Sequence, residues 1–184
     1  SNAENHKACE DCPQGRFQFF AGQTSCEPCF AGTNPNDEDT CSTCPAGYTC
    51  DGLTLYNTAV PPTDYLVQDE TGKSFYATDI CPAGKYTKAG ASVCVECMPG
   101  RSTEGSDGAS ECAPCGAANL YSSSGAPHCT LCGAGSYTFG GNSDVERTTC
   151  VPCPAGSACN GMGGEEPCAA GKHSDQKGGN KAAS

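Results

Sequence analysis

The sequence lacks tryptophan and has few large apolar side chains for its length. Among 184 residues, only 27 are Val, Ile, Leu, Met, Phe or Tyr. A domain of this size normally buries far more apolar surface than these residues supply. We therefore do not expect one hydrophobic core for the whole chain.

Positive charge is also scarce. The chain has 10 Lys and Arg against 21 Asp and Glu, which gives a net charge of -11. Nucleic acids and anionic membranes attract basic patches, so neither is expected as a partner. No apolar run approaches the roughly 18 residues of a membrane span. Residues 1–3 are typical of a cleaved expression tag, which leaves the presence of a signal peptide or anchor open.

No motif for catalysis or cofactor binding is found, and we predict neither an enzyme nor a cofactor. His6, His128 and His173 are far apart in polar loops, where a histidine is usually only solvated. The acidic run 37–39 lacks the alternating spacing of a calcium-binding loop. No Asn stands in an N-glycosylation motif.

What the chain does have is 18 Cys, 24 Gly and 13 Pro. Cysteine at about one residue in ten is typical of a disulfide scaffold, in which cross-links replace a missing core. Persistent disulfides require an oxidising environment. The composition therefore predicts an extracellular or cell-surface location, reached through the secretory pathway.

Most of the cysteines fall in seven C-x-x-C steps: Cys9/Cys12, Cys26/Cys29, Cys41/Cys44, Cys94/Cys97, Cys112/Cys115, Cys129/Cys132 and Cys150/Cys153. The other four, Cys50, Cys81, Cys159 and Cys168, stand at matching places in two halves of the chain. The pairs CSTCPAGYTCDG (41–52) and CVPCPAGSACNG (150–161) show the same duplication. A short repeat has therefore been duplicated again at a larger scale.

One pairing scheme lets the second Cys of each step open a loop that the first Cys of the next step closes. The pairs would be Cys12–Cys26, Cys29–Cys41, Cys44–Cys50, Cys81–Cys94, Cys97–Cys112, Cys115–Cys129, Cys132–Cys150 and Cys153–Cys159. Cys9 and Cys168 are then left unpaired or paired with further repeats. Spacing alone does not prove connectivity, and many other schemes are open.

Each loop is expected to form a short, irregular β-hairpin with glycines at its turns. An aromatic ring that can cover a disulfide stands five residues after the opening Cys at Phe17, Tyr86 and Tyr137, whereas the intervening loops have Asn34, Ser102 and His173 there. The predicted fold class is small and disulfide-rich: an elongated tandem array of short β-hairpin repeats with little regular secondary structure.

One interval, 51–80, has no cysteine. Residues 65–68 and 74–78, joined by a turn through 69–72, read as a β-hairpin. This interval is the expected place for a small core or for a joint. The predicted organisation is a tag remnant (1–3), cysteine-rich repeats (4–50), the cysteine-free insert or joint (51–80), further repeats (81–168) and the truncated start of another repeat (169–184).

The run CPAGKYTKAGASVCVECMPGRSTEGSDGASEC (81–112), with its C-P-x-G-x-aromatic opening, resembles the cysteine-rich repeat of ephrin-receptor ectodomains. It is similar also to the first module of tumour-necrosis-factor-receptor repeats, and long arrays of this kind resemble protist and algal surface proteins. The resemblance covers most of the chain except 51–80. It implies pairing of sequential cysteines and no catalytic residue. The tight CPAGYTC and CPAGSAC rings depart from the receptor versions, so their pairings gain least support from it.

C-x-x-C steps also occur in zinc sites and in redox-active sites. Zinc ribbons have similar spacings, but the lone cysteines at repeated positions favour disulfides. A redox-active site needs a cationic neighbour or a helix N-terminus, whereas the inner residues here include Glu10, Asp11, Glu27 and Glu96.

The predicted function is a non-enzymatic extracellular structural or adhesion module, a stalk or coat segment of a larger protein whose nearest partners are its own neighbouring repeats. The alternative is a receptor ectodomain fragment that binds a protein ligand. Contact residues would then be sought among Tyr56, Tyr65, Phe75 and Tyr76, since contiguous surface aromatics mark interfaces. If these rings are buried, they form a local core instead.

Overall fold

The computed structural model describes residues 9–13, 15–18, 20–37, 40–54 and 66–175. Within these ranges the chain forms only short strands and turns. The strands are β1 (Arg16–Phe17), β2 (Glu27–Pro28), β3 (Thr33–Pro35), β4 (Cys41–Thr43), β5 (Tyr48–Thr49), β6 (Leu66–Gln68), β7 (Ser74–Tyr76), β8 (Asp79–Ile80), β9 (Lys85–Tyr86), β10 (Val95–Glu96), β11 (Arg101–Ser102), β12 (Ala113–Pro114), β13 (Leu120–Tyr121), β14 (Thr130–Leu131), β15 (Ser136–Phe139), β16 (Thr149–Pro152), β17 (Ser157–Ala158) and β18 (Glu166–Pro167).

The strands form two-stranded sheets, almost all between neighbours in sequence. The pairs are β1–β2, β3–β4, β6–β7, β9–β10, β11–β12, β13–β14, β15–β16 and β17–β18, and β5 pairs with β8 around the β6–β7 hairpin. The predicted disulfide-rich array of short hairpins is confirmed. Among the described residues there is no helix that could span a membrane.

Eight disulfides close the loops at their bases. They join Cys12–Cys26, Cys29–Cys41, Cys44–Cys50, Cys81–Cys94, Cys97–Cys112, Cys115–Cys129, Cys132–Cys150 and Cys153–Cys159, with Cα–Cα distances of 5.6 to 5.8 Å. These are the pairs of the sequential scheme, including both tight rings. Cys9 and Cys168 carry free thiols.

The chain divides into two compact units. The first comprises Ser1–Pro45, Thr49–Asp79 and Ala89–Ser92, and the second comprises Ala46–Tyr48, Ile80–Lys88 and Val93–Ser184. The first unit therefore contains most of the cysteine-free interval, including the β6–β7 hairpin.

The first unit has a small core around β7. Phe75 is fully buried and Tyr76 is 2% exposed. Strand β7 pairs with β6 on one side, and Phe75 also forms a bridge with Asn36, next to β3, on the other. These contacts enclose both rings, so the cysteine-free interval supplies the apolar contact that its missing disulfides would otherwise provide.

The second unit has a different kind of interior. Its buried apolar side chains, within the described residues, are all half-cystines: Cys81, Cys97, Cys112, Cys132, Cys153 and Cys159. They are accompanied by buried hydroxyls: Thr87, Ser102, Thr103, Ser122, Thr138 and Ser157. Buried hydroxyls need hydrogen-bond partners, and the backbone of adjacent loops supplies them. Thr87 Oγ1, for example, donates to the Tyr48 carbonyl at 3.1 Å and accepts the Gly47 N–H at 2.9 Å.

Successive loops are joined by a repeated set of backbone hydrogen bonds. The N–H of Cys97, which opens one loop, donates to the carbonyl of Gly84 in the loop before it at 2.9 Å. The N–H of Gly108, at the turn of that later loop, donates back to the Cys81 carbonyl at 2.8 Å. Cys115 and Gly125 make the same two bonds, to the carbonyls of Gly100 and Cys97.

The glycine of the C-x-x-G opening is required by a close approach as well as by its backbone angle. Gly84 has φ of +86°, and a Cβ added there would lie 2.1 Å from the carbonyl oxygen of Gly125, two loops further along the chain. Any side chain would collide with that backbone atom. Each loop is therefore fixed by contacts with the next loop and the one after it.

We predict that Gly84→Ala destabilises the second unit more than Gly156→Ala. Gly156 has the same place in its own loop and φ of +83°, but no described atom lies within 4 Å of its Cβ position. Both variants incur the left-handed backbone cost of about 1–2 kcal/mol, and only Gly84→Ala adds a backbone collision. Thermal unfolding without reductant measures both losses. Equal losses would contradict the stacking of loops described above.

Candidate interaction surface

The aromatic residues proposed from sequence as contact residues do not form an exposed group. Phe75 and Tyr76 are buried around β7, so the hypothesis that these two rings meet a ligand is wrong, and they form a local core. Tyr56 and Tyr65 lie outside the described residues, and their part in a contact stays a prediction.

A buried asparagine organises the backbone around this core. Asn34 is fully buried. Its Nδ2 donates to the Tyr76 carbonyl at 2.8 Å, and its Oδ1 accepts the Gly52 N–H at 2.8 Å. Asn34 stands where other loops place an aromatic ring. The amide therefore ties the first repeats to the hairpin insert through hydrogen bonds instead of apolar contact.

Two aspartates at turns of the first unit are held in the charged form. Asp69 Oδ2 accepts the Ser42 hydroxyl at 2.6 Å, and Oδ1 accepts the Thr71 hydroxyl at 2.6 Å and the Thr71 N–H at 2.8 Å. The Ser42 bond, followed by that of the Thr71 hydroxyl, holds the pKa of Asp69 far below its ordinary value, although partial desolvation opposes them.

Asp51 behaves similarly. Partial burial acts to raise its pKa, but the N–H groups of Leu53 and Thr54 and the hydroxyls of Thr78 and Thr54 together outweigh burial and lower the pKa. Both carboxylates therefore stabilise turns, and neither has the raised pKa of a general acid.

No metal site is evident among the residues that the structure describes. They contain no group of three or more His, Cys, Asp or Glu side chains placed to hold an ion. Sulfurs in disulfides are not thiolates, and metal ligation requires the thiolate. The acidic run 37–39 is described only at Asp37.

An exposed apolar face occurs instead on the β9–β10 hairpin of the second unit. Tyr86 lies directly opposite Val95, and opposite residues of an antiparallel pair share a face. Val95 is 52% exposed. Tyr86 also lines a cleft of about 250 Å³ together with Met98, which is 67% exposed. Together, these three residues, Tyr86, Val95 and Met98, form the β9–β10 face.

Charged side chains of both signs lie on the two sides of this hairpin. Lys88 and Glu111 line the cleft together with Tyr86, whereas Lys85 and Glu96 are the next opposite pair and project from the other side. Lys85 Nζ lies 3.8 Å from Glu96 Oε1, and Lys88 Nζ lies 3.8 Å from Glu111 Oε2. These exposed pairs contribute little to stability and are free to rearrange on contact with a partner.

Arg101, which also lines the cleft, is held by two partners. Its Nη1 donates to the Cys112 carbonyl at 2.9 Å, and its Nη2 lies 2.5 Å from Glu146 Oε1. An apolar centre with a charged rim is the usual anatomy of a protein interface.

Sequence reasoning missed this face, although a signal was present. Val95 is inside a C-x-x-C step and Met98 directly follows one, and the corresponding positions of other steps hold Ser, Thr, Pro or Glu more often than a large apolar residue. Phe30, also directly after a step, is 68% exposed in the first unit. Apolar residues beside a buried disulfide are forced outward, because the half-cystines occupy the interior.

A known family model matches the N-terminal part of the chain. Residues 1–38 match the family model described as tyrosine-protein kinase ephrin type A/B receptor-like. The matched region includes the Cys12–Cys26 loop and β1 to β3. The match and the disulfides support an ephrin-receptor-like cysteine-rich repeat, whereas the likeness to tumour-necrosis-factor-receptor modules stays a prediction. No curated protein matches the chain.

The lowered pKa of Asp69 predicts a loss of stability in acid. A carboxyl group whose pKa is lower in the folded state stabilises the fold above its unfolded pKa of about 4, and this contribution is lost as pH falls through the folded pKa. Denaturation can be followed by the circular dichroism of the tyrosines and repeated from pH 7 down to pH 2. Below pH 4, the free energy of unfolding should fall more steeply with pH for the wild type than for Asp69→Asn. The exposed neighbour Glu70→Gln serves as the control and should keep the wild-type slope. Identical profiles for wild type and Asp69→Asn would contradict the assignment.

Proposed function

We propose that this chain is a non-enzymatic structural segment of an extracellular or cell-surface protein. The observation that carries the proposal is the interior of the second unit, where disulfides and hydrogen-bonded hydroxyls replace an apolar core. Such an interior does not depend on a large hydrophobic body, so the array can be extended by adding repeats. Stalk, coat and adhesion segments require this property.

The eight disulfides and the match to an ephrin-receptor-like repeat fit an extracellular location and a receptor-like module. Each loop closure restricts the unfolded chain, by about 3 kcal/mol for a loop of about 15 residues in the chain-entropy model. Serial closure also keeps a local opening from spreading, because each loop is cross-linked independently. Resistance to proteases and to mechanical load is expected to follow.

In a rigid spacer, the distance between two surface sites should stay constant until the disulfides are reduced. Dyes at Lys88 and Lys172, both exposed in the second unit, would report this distance by single-molecule energy transfer. We expect a narrow distribution for the oxidised protein and a broad one after reduction. A broad distribution before reduction would contradict a spacer role.

The second candidate function is binding of a protein ligand, and the β9–β10 face is the observation that favours it. The Cys81–Cys94 disulfide closes the loop that carries β9 and β10, so the backbone of this face is already ordered and loses little conformational entropy on binding. The ligand site would then lie at residues 86–98 and not at Phe75 and Tyr76, the two predicted contact residues that are buried. The domain boundaries predicted around 51–80 are part of this proposal, since the repeats after residue 80 would carry the ligand surface.

If the β9–β10 face binds a protein ligand, Val95→Asp should remove one of its central apolar contacts. A fluorescent form of the chain, added to intact cells that present candidate partners, should lose at least tenfold in affinity, the size expected for a central contact residue. Leu131→Asp is the matched control, because Leu131 is 63% exposed and also lies inside a C-x-x-C step. Equal binding by both variants and the wild type would exclude the β9–β10 face.

A further inference from the structure

The Cys115–Cys129 disulfide differs from most of the others in its exposure. Six of the eight bonds have at least one buried half-cystine. Both half-cystines of Cys115–Cys129 are partly exposed, as are those of Cys12–Cys26. A thiol can therefore approach either sulfur of these two bonds more readily than those of the other six.

A buried hydroxyl distinguishes Cys115–Cys129 from Cys12–Cys26. Ser102 is 2% exposed, and its Oγ lies 3.5 Å from Cys129 Sγ. A disulfide sulfur has no hydrogen, so the serine hydroxyl is the donor. The same Oγ accepts the Glu104 N–H at 3.3 Å, and the Cys129 sulfur lies within reach of the hydroxyl hydrogen.

The other end of the bond has no comparable donor. Ser122 Oγ lies 3.6 Å from Cys115 Sγ, but its hydroxyl donates to the Arg101 carbonyl at 2.9 Å. Only Cys129 therefore receives a hydroxyl hydrogen bond. Ser102 stands at the position where Phe17, Tyr86 and Tyr137 place aromatic rings in other loops.

This asymmetry has a chemical consequence. Thiol–disulfide exchange is faster when the leaving sulfur is stabilised as a thiolate. A hydrogen bond to the charged form of a group favours that form. The Ser102 hydroxyl is thus placed to stabilise negative charge on Cys129 as the bond breaks.

We propose that Cys115–Cys129 is a thiol-exchange site for an external thiol, such as glutathione or a dithiol oxidoreductase. The attacking thiolate forms a new S–S bond with Cys115 Sγ. The Cys115–Cys129 bond breaks, and its electron pair remains on Cys129 Sγ. That thiolate then takes up the proton that the attacking thiol released, so the external thiol is oxidised and Cys129 is reduced.

Opening this loop would release contacts with the two loops before it. Gly125, at its turn, donates its N–H to the Cys97 carbonyl, and its own carbonyl covers Gly84. Pro127 accepts the Gly105 N–H at 2.8 Å. Exchange at Cys115 would therefore loosen the hairpins of the Cys81 and Cys97 loops, which include the β9–β10 face.

The test uses the whole oxidised chain with Cys9 and Cys168 blocked beforehand. Reduced glutathione is added under native conditions, the reaction is stopped with an alkylating agent, and peptides are mapped by mass spectrometry. Glutathione is expected on Cys115 and the alkyl group on Cys129, before any bond with a buried half-cystine opens. Glutathione on Cys129, or earlier opening of a bond with a buried half-cystine, would overturn the proposal.

Ser102→Ala tests the hydroxyl. It should slow exchange at Cys115–Cys129 roughly threefold to tenfold, the effect of one hydrogen bond to the leaving sulfur, and leave Cys12–Cys26 unchanged. Ser122→Ala, the neighbouring hydroxyl that donates elsewhere, should not slow it. An unchanged or faster rate in Ser102→Ala would show that the hydroxyl has no part in exchange. Which of the two sulfurs carries glutathione in the wild type tests the exchange site independently of either variant.

Discussion

Closure of each loop at its base by a disulfide is the constraint on which the rest of this structure depends. With the two ends fixed 5.6 to 5.8 Å apart at their Cα atoms, a dozen small and polar residues have little room to spread. The turn of each loop then reaches the backbone of preceding loops, where a glycine leaves space for its carbonyl. The hydrogen bonds between loops follow from that approach and would not form between open chains.

The interior that results is polar for a protein core, and among the described residues Arg147 Nε is the buried side-chain polar atom that lacks a hydrogen-bond partner. Thr87 bonds to backbone groups of the adjacent loop, and Asn34 does the same in the first unit. Such hydroxyls and amides fix the register between loops, because each needs one particular partner. In the described part of the first unit, a small apolar core around Phe75 and Tyr76 takes over the same task where the chain has no cysteine.

The repeat could be predicted from the sequence because C-x-x-C spacing, C-x-x-G openings and loop length are all local features. The short hairpins and the disulfide-rich fold follow from them. The stacking of Gly84 under Gly125 could not, since it joins residues 41 positions apart whose spacing carries no signal. Burial of Phe75 and Tyr76 was also open, because a hairpin face reads the same in sequence whether it meets solvent or β3. The β9–β10 face was missed because the residues inside and after a C-x-x-C step read the same in sequence whether they meet solvent or a neighbouring loop.

These features describe a module in which covalent and hydrogen-bonded links carry the fold and leave apolar side chains free at the surface. The central claim is the sequential closure of the loops. Peptide mapping of the native, unreduced protein tests it most directly. The account predicts the eight sequential pairs, with thiols only at Cys9 and Cys168. Bonds that cross between loops, or thiols within the C-x-x-C steps from Cys12 to Cys153, would contradict it.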